Sequence, residues 1–415
     1  MSEVAGDLAK VFRAESGRIL ASLMMSTRSV ELAEDALADA LLQAAEQWPV
    51  TGTPKNRAAW LLTVARRRAI DRLRKEAHRN ADVTRQAILD TWPETDELSE
   101  NGALIPDERL RLIFTCCHPA LAEEARVPLT LKTLCGLSTR EIARSFLTSE
   151  TTMNQRLTRA KRKIRDAGIA YEVPEGEALN ERLPSVLSVL YLIYNESYNA
   201  FEGHSLSRIN LADEAIRLAR ILHNLLPRPD VAGLLALMLL HDSRKTARSS
   251  VAQPFIPLEQ QDRLLWNQTS IREGTKILLT AMGEGKPDTY QLQAAISAVH
   301  AMATVWDATD WTQIQHLYSL LYQLNPSPVV ALNQAVASAY AGHVSAAYAR
   351  LNELEEELVT YQPFYAARAE FGAKLGLEAA AHEDYNMAIS LSKNAAEKNF
   401  LRARKKRLEH TDACS

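Results

Sequence analysis

Apolar residues recur along this chain at helical spacing, and strand-like runs of Val, Ile and Thr are missing, so the pattern predicts helices throughout. From Val11 to about Gln47 the helical pattern runs on until Gln47-Trp48-Pro49, where proline is expected to stop it. The turn-rich VTGTPKNR follows, and then AAWLLTVARRRAIDRLRKEAHR. There Trp60, Leu61, Val64, Ala65, Ile70 and Leu73 make one face and arginines crowd the other. Residues 80 to 106 lose periodicity and gather Asp82, Asp90, Glu94, Asp96, Glu97 and Glu100 around Pro and Gly, which reads as an acidic linker. A second helical module runs from Pro106 to Gly168 through ERLRLIFTCC, EEARVPLTLKTLCG, STREIARSFL and SETTMNQRLTRAKRKIRDAG, and Pro174 follows its end. The rest is a succession of Ala- and Leu-rich amphipathic segments. The expected fold is all-α, with modules at 1–80 and 106–170, a linker at 81–105 and a helical extension at 175–410.

The extension repeats near its end. Setting NPSPVVALNQAVASAYAGHVSAAYARL against PFYAARAEFGAKLGLEAAAHEDY puts Ala335 on Ala369, Ala339 on Ala373, Gly342 on Gly376, Ala346 on Ala380 and Ala347 on Ala381, an offset of 34 residues. That is the tetratricopeptide period, in which small residues let two antiparallel helices approach and glycine makes the turn between them. Upstream, LADEAIRLARILHNLLPRPDVAGLLALMLLHDSRKTAR predicts another helix pair that does not phase on the same period.

At 415 residues, with 47% hydrophobic and 24% charged positions, the composition is globular and suggests two to four domains. The start has no basic flank followed by an apolar core, and no window is long and apolar enough to span a membrane, so a cytoplasmic protein is expected. Cys116, Cys117, Cys135 and Cys414 are too few for a disulfide framework. Cys116-Cys117-His118 lacks zinc-site spacing, so core packing is the better reading, with no metal or cofactor. No phosphate loop, nucleophile elbow or HExxH is present, so no enzymatic machinery is visible. The net charge of -3 conceals two basic stretches, Arg66 to Arg79 and Arg156 to Arg165, each on a predicted helix, as expected of a nucleic-acid binder.

The sharpest local signal is LSTREIARSFLTSETTMNQRLTRAKRKIR. Ser138 with Glu141 forms a capping box, Ser149 caps a second helix, and the pair has helix-turn-helix spacing. Met153, Leu157 and Ala160 fit the buried side of the second helix. Ser149, Glu150, Thr152, Asn154, Gln155, Arg156, Arg159, Lys161 and Lys163 are the DNA-contact candidates. Asn, Gln and Arg suit base edges, while Arg156, Lys161, Arg162 and Lys163 suit phosphates. The alternative is a solvated cationic face on an ordinary helix pair.

These residues resemble region 4 of sigma factors of the extracytoplasmic function group, in Leu137-Ser138, Glu141-Ile142-Ala143 and Thr152-Met153-Asn154-Gln155-Arg156-Leu157-Thr158-Arg159-Ala160. The resemblance implies that this helix reads the −35 promoter element. Asn154 and Gln155 stand where the family commonly has Lys-Ser.

SVELAEDALADALLQAAEQW is similar to the region 2 helix that docks on the clamp of the polymerase largest subunit, which makes Glu34, Asp35 and Asp39 the candidate contacts. The arginine-rich helix resembles the segment that melts and holds the −10 element. The resemblance implies a strand path along outward Arg66, Arg67, Arg68, Arg72, Arg74 and Lys75, with Lys55, Asn56 and Arg57 at a flipped base. Trp60 is either core or a stacking platform. The family's linker threads toward the polymerase active centre, and an ordinary tether is the plain alternative. The extension resembles that of one sigma subgroup, where a tetratricopeptide-like domain is thought to regulate activity; ERLPSVLSVLYLIYNESYNA and LLALMLLHDSRKTAR carry the likeness. Tyr191, Tyr194, Asn195, Trp266, Tyr290 and Trp311 are candidates for a concave face or for core. The implied partners are core RNA polymerase, through clamp and flap, promoter DNA, and an intramolecular or protein partner of the extension. The competing readings are a helix-turn-helix regulator with a helical sensor domain that does not join core polymerase, and a repeat scaffold with incidental basic helices.

Overall fold

A computed structural model describes residues 2–80, 108–146, 148–200, 211–248, 255–392 and 395–412. Among them are 18 α-helices and no strand, so the all-α expectation holds. The acidic linker at 81–105 lies outside the described residues. The chain divides into two compact units, Met1–Leu218 and Ala219–Ser415.

In the first unit α1 (Ser2–Thr27), α2 (Val30–Thr51) and α3 (Arg57–Asn80) pack side by side. The single helical stretch expected from Val11 to Gln47 is two helices. Arg28 takes a left-handed φ of 51°, which breaks the first, and Ser29 caps the second by accepting from the Leu32 amide at 3.3 Å. Pro49 does not stop α2, which continues to Thr51. A proline in the last turn removes one hydrogen bond where few remain to lose, and Gly52, at φ 83°, closes the end by donating to Trp48 O at 3.1 Å. Ala33, Ala36, Ala40 and Ala44 are buried along α2, so neighbouring helices come close, and Ile19, Leu23, Leu61 and Leu62 fill the space between. Each fully buried side chain of this size contributes roughly 1.5–3 kcal/mol.

The second module of that unit comprises α4 (Arg109–Cys116), α5 (Glu123–Leu134), α6 (Thr139–Ser145) and α7 (Glu150–Asp166). The next helix, α8 (Gly176–Ala200), begins the extension by sequence but packs on α4 and α5. Arg182 donates to Phe114 O at 2.8 Å and Ser185 to Cys117 O at 2.8 Å. Cys116, Cys117 and Cys135 are fully buried, and Cys116 Sγ lies 3.1 Å from the Thr133 hydroxyl. Burial pushes all three thiols up, Cys117 to about 12.

After α9 (Leu211–Leu225), the second unit is built around α10 (Pro229–Asp242), whose residues from Val231 to Leu240 are all buried. A helix apolar all round has to be covered on every side. Packed on it are α11 (Gln268–Met282) and α12 (Thr289–Met302), and α13 (Trp311–Leu324) follows. Next come α14 (Pro328–Tyr340), α15 (Val344–Glu353), α16 (Gln362–Lys374), α17 (Glu378–Leu391) and α18 (Ala395–Asp412). Helices α14 and α16, and likewise α15 and α17, start 34 residues apart, as the sequence offset predicts. The two turns use Gly342 at φ 100° and Gly376 at φ 74°, a region where a Cβ is costly. Arg368 on α16 holds Asp384 on α17 in a buried pair at 2.7 Å.

Candidate nucleic-acid interface

The capping box forms at α6. The Ser138 hydroxyl accepts from the Glu141 amide at 3.2 Å, and the Ser138 amide donates back to Glu141 Oε2 at 2.8 Å. Ser149 caps α7 by accepting from the Thr152 amide at 3.0 Å, and its hydroxyl lies 2.8 Å from that of Thr152. Ser149 and Thr152, two of the DNA-contact candidates, are therefore already engaged in holding the helix end, while Glu150 between them is exposed. Met153, Leu157, Ala160 and Ile164 are buried, which turns Glu150, Asn154, Gln155, Arg159 and Lys163 to the exposed side, with Arg156 half-buried beside them. Four apolar residues at i, i+4, i+7 and i+11 are enough to fix which side of α7 faces out.

On α3 the expected face is met in outline. Leu61, Leu62, Val64, Ala65, Ala69 and Leu73 are buried, and Arg67, Arg68, Arg74 and Lys75 are exposed. Arg66 departs from the expectation of an outward side chain. It is half-buried against α1 and donates to Ser22 Oγ at 3.2 Å, with burial lowering its guanidinium below the usual range. It follows Ala65 by one residue and so stands at the edge of the packed face rather than opposite it. Arg72 is clamped by Asp35 and Asp39 of α2, each at 2.7 Å. One of the expected strand-path cations thus neutralises two of the expected polymerase contacts. Asn56 caps α3 by accepting from the Ala59 amide at 3.0 Å, between exposed Lys55 and half-buried Arg57. Trp60 is half-buried and packs edge-on against buried Trp48, with centroids 5.5 Å apart.

Residues 11–79 match the family model of sigma-70 region 2, residues 111–164 that of sigma-70 region 4, and residues 182–282 a family of unknown function (DUF6596). An uncharacterized protein of Rhizobium meliloti is 40% identical over 386 residues, covering 92% of this chain and 91% of its own. The ECF RNA polymerase sigma factor SigK of Mycobacterium bovis is 34% identical over 108 residues, 26% of this chain and 56% of SigK, and the Mycobacterium ulcerans SigK is 31% identical over the same length. The chain belongs to the extracytoplasmic function group of the sigma-70 family. No solved structure matches it. Among the described residues no helix is long and apolar enough to cross a membrane.

In this sigma factor regions 2 and 4 are docked on one another. Helix α1 crosses the end of α5 at backbone distance, since a Cβ on Gly17 would lie 2.7 Å from Leu134 O. The Tyr171 hydroxyl, just past region 4, donates to Ala21 O at 2.8 Å. Lys161 of α7 pairs with Glu34 of α2, and Arg165 with Glu31 at 3.1 Å. Lys161 and Glu34 were expected to face DNA and polymerase separately. The structure brings them together, 127 positions apart, and sequence periodicity holds no signal of such a pairing.

Proposed function

We propose that the protein brings core RNA polymerase to specific promoters, assists melting of the −10 element, and is governed by its own extension. The observation that carries this reading is the separation of two exposed cationic faces within one family-matched chain. Asn154, Gln155, Arg159 and Lys163 stand on a capped helix suited to the major groove. Arg67, Arg68, Arg74 and Lys75 form a row suited to a single strand. The tetratricopeptide-like character of the extension belongs to the same proposal, supported by the helix pairs recurring at 34 residues.

Lys161 and Glu34 occupy one another in the docked arrangement, so neither is offered to DNA or polymerase until regions 2 and 4 part. Glu34 then becomes free for the polymerase clamp and Lys161 for a phosphate.

The test is run-off transcription from selected genomic DNA fragments with purified core polymerase. The whole chain is compared with an Arg156→Ala/Arg159→Ala variant and with a truncation after residue 225, which keeps the α8 side chains that cover Phe114 and Cys117. Initiation that needs the protein and is lost in the double variant supports the proposal. A chain that binds promoter fragments without ever binding core polymerase is instead a helix-turn-helix regulator with a sensor domain.

A further inference from the structure

The second unit contains a cavity of about 340 Å³ lined by residues of α12, α13, α14, α16 and α18. We propose that this cavity is a binding site for an uncharged planar nitrogen heterocycle of one or two fused rings, which makes the extension a small-molecule sensor. Its volume falls at the lower end of the range usual for small-ligand sites, and its lining mixes aliphatic and aromatic side chains with a few polar groups, the usual composition of such sites.

Three features select the class of ligand. One wall is an aromatic cluster: Trp311 stacks on Tyr340 with centroids 4.6 Å apart and planes at 23°, Trp306 stands edge-on to Trp311 at 4.9 Å, and Lys374 lies over the Tyr340 ring at 4.6 Å. The ring surface that such a cluster leaves toward the cavity suits a planar guest. The charges at the floor cancel. Arg404 bridges Glu259 and Glu370, and Glu370 also accepts from the Tyr340 hydroxyl at 2.8 Å and meets Lys374 at 3.2 Å. Two carboxylates against two cations leave no net charge at this end of the cavity, which favours a neutral ligand there.

The third feature is unspent hydrogen-bonding capacity. His300 Nδ1 is buried with no partner. It lines the same cavity as Tyr318 and Asn333, for whose side chains the structure shows no hydrogen bond. Burial together with Arg244 and Arg263 pulls the His300 imidazole down to about 3, so it is neutral and offers one donor and one acceptor. His300 Nδ1 is sealed from the cavity, whereas the Tyr318 hydroxyl and the Asn333 amide are not, and a ligand edge carrying both donor and acceptor suits that pair. A purely apolar guest would leave Tyr318 and Asn333 unsatisfied.

The test uses the full chain titrated with indole, adenine and nicotinamide by calorimetry and ligand-observed NMR, so the readout is independent of transcription. Saturable binding of at least one probe is expected. Asn333→Leu, which removes polar capacity, and Ala367→Phe, which fills space, should each weaken that binding by at least about tenfold while leaving the circular dichroism melting curve in place. Should a variant fail to fold, the remaining variant and the wild-type titration decide. Absence of binding by the wild-type chain for all three probes up to ~10 mM overturns the proposal, because even small fragments bind a fitting site more tightly than that. Affinity unchanged in a folded variant also overturns it. So does tight binding of a capped tryptophan peptide with none of the free heterocycles, which would identify a protein side chain as the occupant.

Discussion

Replacing Lys161 with Met keeps the aliphatic stem and removes the charge that pairs with Glu34. The two side chains are only 15% and 19% exposed, so the pair is screened far less than a surface bridge. At an effective dielectric constant near 20, unit charges in contact attract by about 4 kcal/mol, and desolvation takes back a large part. Glu34 Oε1 is buried without a partner, so losing Lys161 leaves a half-buried carboxylate without its cation and with one oxygen shielded from solvent. Lys161→Met should therefore cost about 2 kcal/mol of docking between regions 2 and 4, Glu34→Gln about half as much, and the double variant less than the two together. Hydrogen exchange on the full chain reads this directly. Amides of α1 and α5 around Gly17 and Leu134 that exchange only on undocking should do so roughly 30-fold faster in Lys161→Met. A Gly17→Ala variant, whose Cβ would meet Leu134 O at 2.7 Å, should produce the same regional pattern without touching any charge. Exchange within about twofold of wild type in both variants would show that the contact carries no docking energy, and the reasoning would be wrong.

Arg368→Met strands Asp384, which is 5% exposed, and should destabilise the α16–α17 pair by about 3–5 kcal/mol; a urea midpoint unchanged from wild type would contradict this. Cys116, Cys117 and Cys135 should resist iodoacetamide in the folded protein and react on denaturation, as peptide mass spectrometry would report, because burial keeps their thiols protonated. Glu273 is held below the ordinary carboxylate range by its hydrogen bond from Arg220. A depressed folded value means that its contribution is complete above the unfolded pKa and is lost as pH falls through the folded one. An NMR titration placing Glu273 at or above an ordinary glutamate would exclude the pairing.

Much of the architecture is legible in the sequence because it depends on neighbours within a turn or two. Ser138 with Glu141, and Ser149 with Thr152, are separations of three residues, so the helix-turn-helix can be read off the chain. The 34-residue recurrence of Gly342 and Gly376 likewise needs only self-comparison. The break at Arg28 is not legible in the sequence because the apolar spacing continues across it, and the deciding signal, a serine cap two residues before a glutamate, is a weak one. Arg66 stands off its expected outward side because a helical pattern identifies a face to within about one position, and α1 lies at its edge.

By itself, then, the sequence determined an all-α chain, its two sigma regions and the period of its extension, all set by local spacing, capping and turn chemistry. The tertiary structure alone decided the pairings between distant positions. It placed Arg72 on Asp35 and Asp39, Lys161 on Glu34, and Trp306, Tyr340 and His300 around one cavity that Glu259 and Arg404 also line. Contacts of that kind depend on how helices cross, which is fixed by the packing of whole faces rather than by any window of residues.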